Sequence, residues 1–397
     1  MGFTINQICP TGNMRISLVG TRGLPPNYGG YETFADHFVK NMVPLGHEVI
    51  VACERPMDRE SMVEEYHGAK LVYFPTKPPK SYGLRKIYEG INDLYFYFRL
   101  AWSCDVMYIL AGLGTQTLLL LRLIRPGLKI VTNNDGLEWK RSKYSWLERV
   151  LWKSFIRNSL RYSHLVVHDN PKLVEYFPKH RKSKSISIDY GVEVPPEYEW
   201  SAKSIADEFP ENEQMKSLEP GNYHIVVARL QHDNNTHVIL DGFLESDSDR
   251  FLLVIGGVWD SGYESRLEEI RSKPGGERII MPGGIYDLDL LNMLRRHAYS
   301  YIHGHSAGGT NPTLLEAMAM KRGVIAHDNP FNRHVLDGKG LFFNSEKELG
   351  IRINSFESNP DLVEDFGDMG LTRVMEKYVW GDSIAKHEKV FLKLLEK

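Results

Sequence analysis

Twice along this chain, short runs rich in β-branched residues alternate with longer amphipathic stretches, and a segment with neither pattern separates the two series. Such alternation is the sequence form of a parallel sheet wrapped by helices, because parallel strands need helical crossovers and bury both of their faces. The first series predicts strands at residues 15–20, 48–53, 70–74, 106–110, 129–132, 164–168 and 185–189, with helices near 31–45, 83–102, 115–124, 145–161 and 171–177. Residues 195–221 are rich in Pro, Glu, Ser and Asn and read as a linker or surface excursion. The second series predicts strands at 223–228, 251–256, 278–281, 299–303, 323–326 and 340–343, with helices at 236–244, 263–272, 288–297 and 312–320. Two doubly wound halves put a cleft between the carboxyl ends of two sheets, where open α/β sheets bind ligands.

At 397 residues, 42% hydrophobic and 25% charged, the chain is large enough to bury two cores without staples, which excludes a disordered, collagen-like or disulfide-built protein. Its three cysteines, Cys9, Cys53 and Cys104, lack metal-ligand spacing and fit a reducing compartment. No metal pair such as H-E-x-x-H occurs among the 15 histidines, so no metal site is expected. The most apolar window, 106–124, is interrupted by Gly112, Gly114, Thr115, Gln116, Thr117 and Arg122 and reads as a buried strand followed by a helix rather than a membrane span. Residues 1–13 read as a loose extension without the features of an export signal.

Three segments carry chemistry. The first strand runs into TRGLPPNYGG (21–30), where Gly29 and Gly30 at a helix start let backbone N–H groups approach an anion. The same pair also serves a plain strand-to-helix turn, and it is not the G-x-G-x-x-G dinucleotide fingerprint, so a dehydrogenase or epimerase loses its main support. In VVARLQHDNN (226–235), Arg229 ends a strand and places a cation over the cleft, suited to a departing diphosphate; pairing with a neighbouring carboxylate is the competing role. In HSAGGTNPTLLEAMA (305–319), a glycine-rich loop feeds a helix with Pro312 near its first position and Thr310 or Asn311 as cap, so backbone donors at Gly309, Thr310 and Asn311 point into the cleft. Glu316, one turn inside, can accept two vicinal hydroxyls such as those of a ribose, or stand as an ordinary exposed helical Glu.

The order and spacing of these segments resemble the GT-B glycosyltransferases of the retaining family 4 type, over essentially residue 14 onward. Gly29 and Gly30, Arg229, and Glu316 match the family's GG loop, its "RL…K" element and the second Glu of its E-x7-E helix start. YVWGDSIA (378–385) looks like its closing "W" helix. TRGLPPNYGGYETFA, NNDGLEWKRSKYS (133–145) and VARLQHDNN resemble the bacterial rhamnosyltransferase-like subgroup that uses dTDP-β-L-rhamnose in capsule, O-antigen and cell-wall polysaccharide assembly. The resemblance implies an α/β protein of GT-B fold: two Rossmann-like domains, 14–195 and 222–377, facing each other across a cleft, joined by 196–221, with the helix of 378–397 crossing back to the first. It departs from the family at Gly308, where a sugar-reading Glu is usual, and at Asn234, where the diphosphate-binding Lys is usual.

The implied reaction is metal-independent sugar transfer with retention, using a dTDP- or UDP-linked nucleotide sugar as co-substrate and no other cofactor. Its diphosphate would lie among Gly29, Gly30, Arg229, Asn234, Gly309, Thr310 and Asn311, with Glu316 on the ribose and Tyr190 and Gly191 facing the donor. Asp135 and Glu138, just past a strand's carboxyl end, and Asp169 are the candidates for catalysis at the acceptor hydroxyl, with capping of the next helix as their competing role. A non-catalytic GT-B protein that binds nucleotide or lipid is the alternative of a different class.

The formal net charge of −3 hides an asymmetry: residues 140–184 carry twelve Lys/Arg against three acids, +9 in all, leaving −12 elsewhere. Lys140, Arg141, Lys143, Arg149 and Lys153, interleaved with Trp146 and Trp152, suit an anionic membrane surface; a solvated basic helix face is the other reading. No nucleic-acid module accompanies the basic patch. The resemblance to polysaccharide-assembly enzymes implies a lipid-diphosphate-linked or glycan acceptor at the cytoplasmic leaflet of the cell membrane.

Overall fold

The computed structural model describes residues 12–26, 29–57, 62–110, 114–141, 144–258 and 260–396. Lys143 and the expected extension up to residue 11 lie outside the described residues. The first half forms an eight-stranded sheet. Its strands are β1 (Arg15–Val19), β2 (Glu48–Cys53), β3 (Glu65–Tyr66), β4 (Ala69–Tyr73), β5 (Val106–Ile109), β6 (Lys129–Asn133), β7 (Leu165–His168) and β8 (Ser185–Ser187), in the spatial order β3-β4-β2-β1-β5-β6-β7-β8. All pair in parallel except the β3–β4 hairpin, which covers one edge and carries no alternation long enough to read from sequence. The second half forms a six-stranded, wholly parallel sheet from β9 (Tyr223–Val227), β10 (Phe251–Ile255), β11 (Ile279–Gly283), β12 (Ser300–His303), β13 (Val324–His327) and β14 (Leu341–Phe343), ordered β11-β10-β9-β12-β13-β14. Strand order reverses between β1 and β5 and between β9 and β12, so each sheet opens a crevice at its carboxyl edge there.

The first half's helices are α1 (Gly30–Met42), α2 (Tyr82–Leu100), α3 (Leu118–Ile124) and α4 (Trp146–Tyr162). Those that follow are α5 (Ala202–Glu208), α6 (Glu213–Lys216), α7 (Thr236–Leu244), α8 (Ser261–Arg271), α9 (Leu288–His297), α10 (Pro312–Ala319), α11 (Pro330–Leu336), α12 (Glu346–Ser358), α13 (Pro360–Lys377) and α14 (Trp380–Leu395). Two expectations need correction. The stretch 195–221 is more than a linker: α5 and α6 lie in it, and Ile205, Met215 and Leu218 enter the core of the second sheet. Residues 171–176 form 3-10 turns rather than an α-helix. The apolar stretch 106–124 is a buried strand followed by a helix, as expected, and α3 leaves Leu119, Leu120, Leu123 and Ile124 exposed.

Helix α14 completes the first half's core, not the second's. Trp380, Ile384 and Phe391 pack with Ile16, Leu18, Phe34 and Phe38, and the His387 ring bonds the Tyr108 hydroxyl at 3.1 Å. The Trp380 indole lies flat on His37, ring centroids 4.3 Å apart, and covers Gly191 so closely that a Cβ there would sit 2.6 Å from the indole Cγ. A second bridge is Phe331 of α11, which joins Leu137, Ile156, Leu160, Leu173 and Phe177 of the first half and stacks on Tyr176 at 6.1 Å. Gly191→Ala is expected to lower unfolding free energy by about 1–3 kcal/mol through overpacking against Trp380, measured by urea denaturation.

Candidate functional site

The chain segments leaving β1, β6, β7, β9 and β12 meet in one cleft. Gly29 has φ +140, a left-handed conformation open to glycine, and the turn is braced from within: Glu32 accepts from the Arg22 amide at 2.8 Å and the Thr21 hydroxyl at 3.3 Å. Across the cleft, a Cβ on Gly30 would stand 3.9 Å from Pro312, so the starts of α1 and α10 face each other. Gly309, at φ +76, lies against the carbonyl oxygen of Asp135, where a Cβ would overlap it. Gly308 is pressed on Leu137, with 3.1 Å from an added Cβ to the Leu137 nitrogen. The two halves therefore touch backbone to backbone, and at position 308, where φ is +72, a Cβ would fit only if Leu137 gave way by a few tenths of an ångström.

Two acids of the first half define the middle of the cleft. Asp135 accepts from the Tyr31 hydroxyl at 2.7 Å, and Asp169 accepts from the Thr310 amide at 2.8 Å through Oδ2, while the Thr310 hydroxyl donates to the Asp169 carbonyl at 2.9 Å. The Asp169 Oδ1 atom is buried without a hydrogen-bond partner. Burial pushes the Asp135 carboxyl up to about 6 against the hydrogen bond from Tyr31, with the nearby Glu138 charge adding to the rise. Burial and the facing Asp135 charge hold Asp169 well above the ordinary carboxylate range. Neither acid caps a helix. Ser145 caps α4 through a reciprocal box with Glu148, and Asn170, whose Oδ1 accepts from the Lys172 amide, caps the turn after Asp169.

Glu138 is bound rather than free: its carboxylate accepts from Arg141 Nη1 at 2.8 Å. The expectation that Arg141 faces a membrane is wrong, because it lies in the cleft, donating from Nε to Asp233 of the second half at 2.9 Å. Burial works against the Arg141 charge, but Glu138 and Asp233 outweigh it and raise its pKa. Trp152 also turns inward, its ring against Tyr144 and Phe155 at 5.8 and 5.7 Å, and Arg149 is half-buried. Lys140 lies over the Tyr176 ring at 4.1 Å. Trp146 and Lys153 are exposed.

On the second sheet, Arg229 is exposed at the carboxyl edge, and among the described residues no carboxylate pairs with it. Asn234 does not point at open cleft: its amide donates to the Arg229 carbonyl at 2.6 Å and its oxygen meets His305 Nδ1 at 2.7 Å. Burial, with Arg141 beside it, pushes the His305 imidazole down to about 4. Asn311 caps α10 by accepting from the Thr313 amide at 3.0 Å. Glu316 is half-buried and held by Arg295 at 2.5 Å, a residue missed from sequence although it sits on the apolar stripe of α9 with Leu290, Leu291 and Leu294. Tyr190 donates to the Gly30 carbonyl at 3.0 Å and packs on Trp380, and Gly191 serves the indole rather than the cleft. Among the described residues no group of three or more His, Cys, Asp or Glu could hold a metal ion.

Because the raised Asp135 pKa means that the folded state binds the proton more tightly than the unfolded chain, this group adds stability as pH falls from 7 through about 6. Asp135→Asn is expected to raise the unfolding free energy at pH 7.5 by about 1–3 kcal/mol and to flatten the wild-type gain between pH 7 and 5, read by urea melts across that range.

Residues 208–372 match the family described as "Glycosyl transferases group 1", and residues 14–193 match a domain of unknown function, DUF1972. A curated relative, an uncharacterized glycosyltransferase of Methanocaldococcus jannaschii, is 23% identical over 184 residues, which span 43% of this chain and 44% of that protein, so the match covers less than half the relative's length. Sucrose-phosphate synthase from Thermosynechococcus elongatus superposes with a TM-score of 0.78 at 14% identity, covering 97% of this chain and 100% of that one. Anabaena HepE in complex with UDP superposes at 0.72 and 13% identity, covering 96% and 100%. The chain thus has the GT-B glycosyltransferase fold, and its residues 208–372 match the glycosyl transferases group 1 family.

Proposed function

We propose that this protein is a retaining, metal-independent glycosyltransferase that moves a sugar from a nucleotide diphosphate onto a lipid-linked or polysaccharide acceptor. One observation carries the reading: the cleft sets Arg229 and the amide-rich start of α10 on one wall against Asp135 and Asp169 on the other. That the Thr310 amide already holds a carboxylate supports an anion site there. In this reading the bond from the anomeric carbon to the diphosphate oxygen breaks, and the electron pair goes to the diphosphate. Arg229 and the amides of Gly309 and Asn311 stabilise that charge, the Thr310 amide being taken by Asp169. The acceptor oxygen bonds the same carbon on the face the diphosphate leaves, which retains configuration, and gives up its proton to the departing diphosphate oxygen. Asp135 and Asp169 orient the hydroxyl, and Glu316, fixed by Arg295, receives the ribose hydroxyls.

L-Rhamnose from dTDP-β-L-rhamnose is the donor of choice in this proposal. The motifs of residues 21–35, 133–145 and 227–235 support it, and so does Gly308, which has no side chain to read a hexose hydroxyl. A UDP-linked donor is the second reading, favoured by the UDP held in HepE. Rates with a panel of dTDP- and UDP-sugars decide between them. Glu316→Ala, Asp135→Asn and Asp169→Asn are each expected to reduce kcat/KM about 10²-fold or more with the fold retained by circular dichroism; three variants at wild-type rates would refute the site.

The acceptor side of the proposal includes an anionic membrane surface. Among the described residues no helix is long and apolar enough to cross a bilayer, yet α2, α3 and α4 expose Ile87, Ile91, Leu120, Leu123, Trp146 and Leu147, with Leu123 68% and Trp146 78% accessible. The Lys86–Glu148 ion pair joins α2 to α4, and Arg122 of α3 bonds the Tyr162 carbonyl of α4 at 3.0 Å, so these residues belong to one region beside exposed Lys153 and Arg157. In vesicle flotation, the double variant L123S/W146S is expected to lose roughly tenfold or more of its binding to anionic vesicles. Unchanged flotation would remove the membrane from the proposal.

A further inference from the structure

A nucleotide diphosphate that leaves the cleft with two negative charges meets Arg229 on the second sheet, a cation with no ion pair among the described residues. Asn234, the next polar side chain at that edge, is neutral, and both its amide groups are occupied by Arg229's carbonyl and His305. A second cation does reach this place, but from the first half. Arg141 extends from the loop after β6 to Asp233, the residue before Asn234. Asp233 in turn fixes the glycine-rich loop, its carbonyl accepting from the Ser306 amide at 2.9 Å and the Ser306 hydroxyl at 3.0 Å. His305 records the neighbourhood: after burial, the charges that bear on it include Arg141, Asp233 and Arg229.

The guanidinium is held on part of its edge only. Nε is taken by Asp233 and Nη1 by Glu138, while Nη2 makes no hydrogen bond or ion pair among the described residues. Its two acids also differ in depth, Asp233 with 6% of its side chain exposed and Glu138 with 21%. We propose that Arg141 is a diphosphate ligand delivered across the cleft, and that the incoming diphosphate takes the place Glu138 holds on it while Asp233 keeps the guanidinium in position. This deepens the glycosyltransferase reading and rests on it. Glu138 is then a stand-in anion that neutralises Arg141 until donor arrives. Leaving-group stabilisation is then complete only when both halves surround the same ligand.

Opposite effects from two neighbours in one ion cluster test the assignment. Titration calorimetry with UDP, UMP, dTDP and dTMP compares wild type with Arg141→Met, Arg141→Lys, Glu138→Gln and Arg229→Met. Arg141→Met is expected to weaken both diphosphates about 10- to 100-fold and both monophosphates by less than about threefold, with Arg141→Lys between it and wild type. Glu138→Gln is expected to tighten diphosphate binding several-fold, because the competing anion is gone. If Arg141→Met weakens monophosphates and diphosphates equally, or Glu138→Gln weakens them alongside it, the cluster is a structural clasp and the proposal fails. Should Arg141→Met not fold, Arg141→Lys and Glu138→Gln give the same opposed signs or overturn the idea. Loss of diphosphate binding in Arg229→Met but not in the Arg141 variants would sink this inference alone, whereas wild-type protein that binds none of the four nucleotides would sink the donor reading with it.

Discussion

Everything in the cleft depends on how closely the glycine-rich loop of one half meets the backbone of the other. Gly309 against the Asp135 carbonyl, and Gly308 against Leu137, are contacts that side chains would hold apart. Because the approach is that close, the Thr310 amide reaches Asp169, and the starts of α1 and α10 come to face each other. Two carboxylates are thereby enclosed with little water, which is why Asp135 and Asp169 hold their protons to unusually high pH. Arg141 and Phe331 reinforce the same juxtaposition from either side, one by charge and the other by apolar burial.

The architecture was largely legible in the sequence because parallel strands, buried on both faces, leave unmistakable apolar runs. β1, β2, β5, β6, β9, β10 and β12 fall within a residue or two of their expected positions. Short features escaped: the two-residue β3 has no period to detect, and α5 and α6 are hidden in a polar stretch that contributes only three core side chains. The helices α12 and α13 also went unread, although Leu349, Ile353 and Phe356 stand at the i, i+4, i+7 spacing of an amphipathic helix.

At the site, the segments were readable and the pairings were not. Gly29, Gly30, Asp135, Asp169, Arg229, Thr310 and Glu316 do converge, since each follows a strand's carboxyl end or starts the next helix. Whether an ionisable group faces solvent, membrane or another charge is set by tertiary contact. Arg141 lies in a run of cations that reads as one surface, yet it points to Asp233, 92 residues away in the chain. The apolar face expected of the basic helix is instead shared among three helices, and α3 supplies part of it with Leu119, Leu120, Leu123 and Ile124.

The position of α14 has a consequence for biosynthesis. Trp380, Ile384 and Phe391 fill the core built around β1 and α1, although nearly the whole second half is translated between that core and its last pieces. At ordinary elongation rates the ribosome needs roughly 10–40 s to cover this interval. Throughout it, the nascent first half has an open hydrophobic slot beside Phe34 and Phe38, a surface suited to a holding chaperone. Closure of that slot by the emerging helix makes completion of one half contingent on synthesis of the other, so neither a cut between the sheets nor independent expression of residues 14–193 reproduces the native first half.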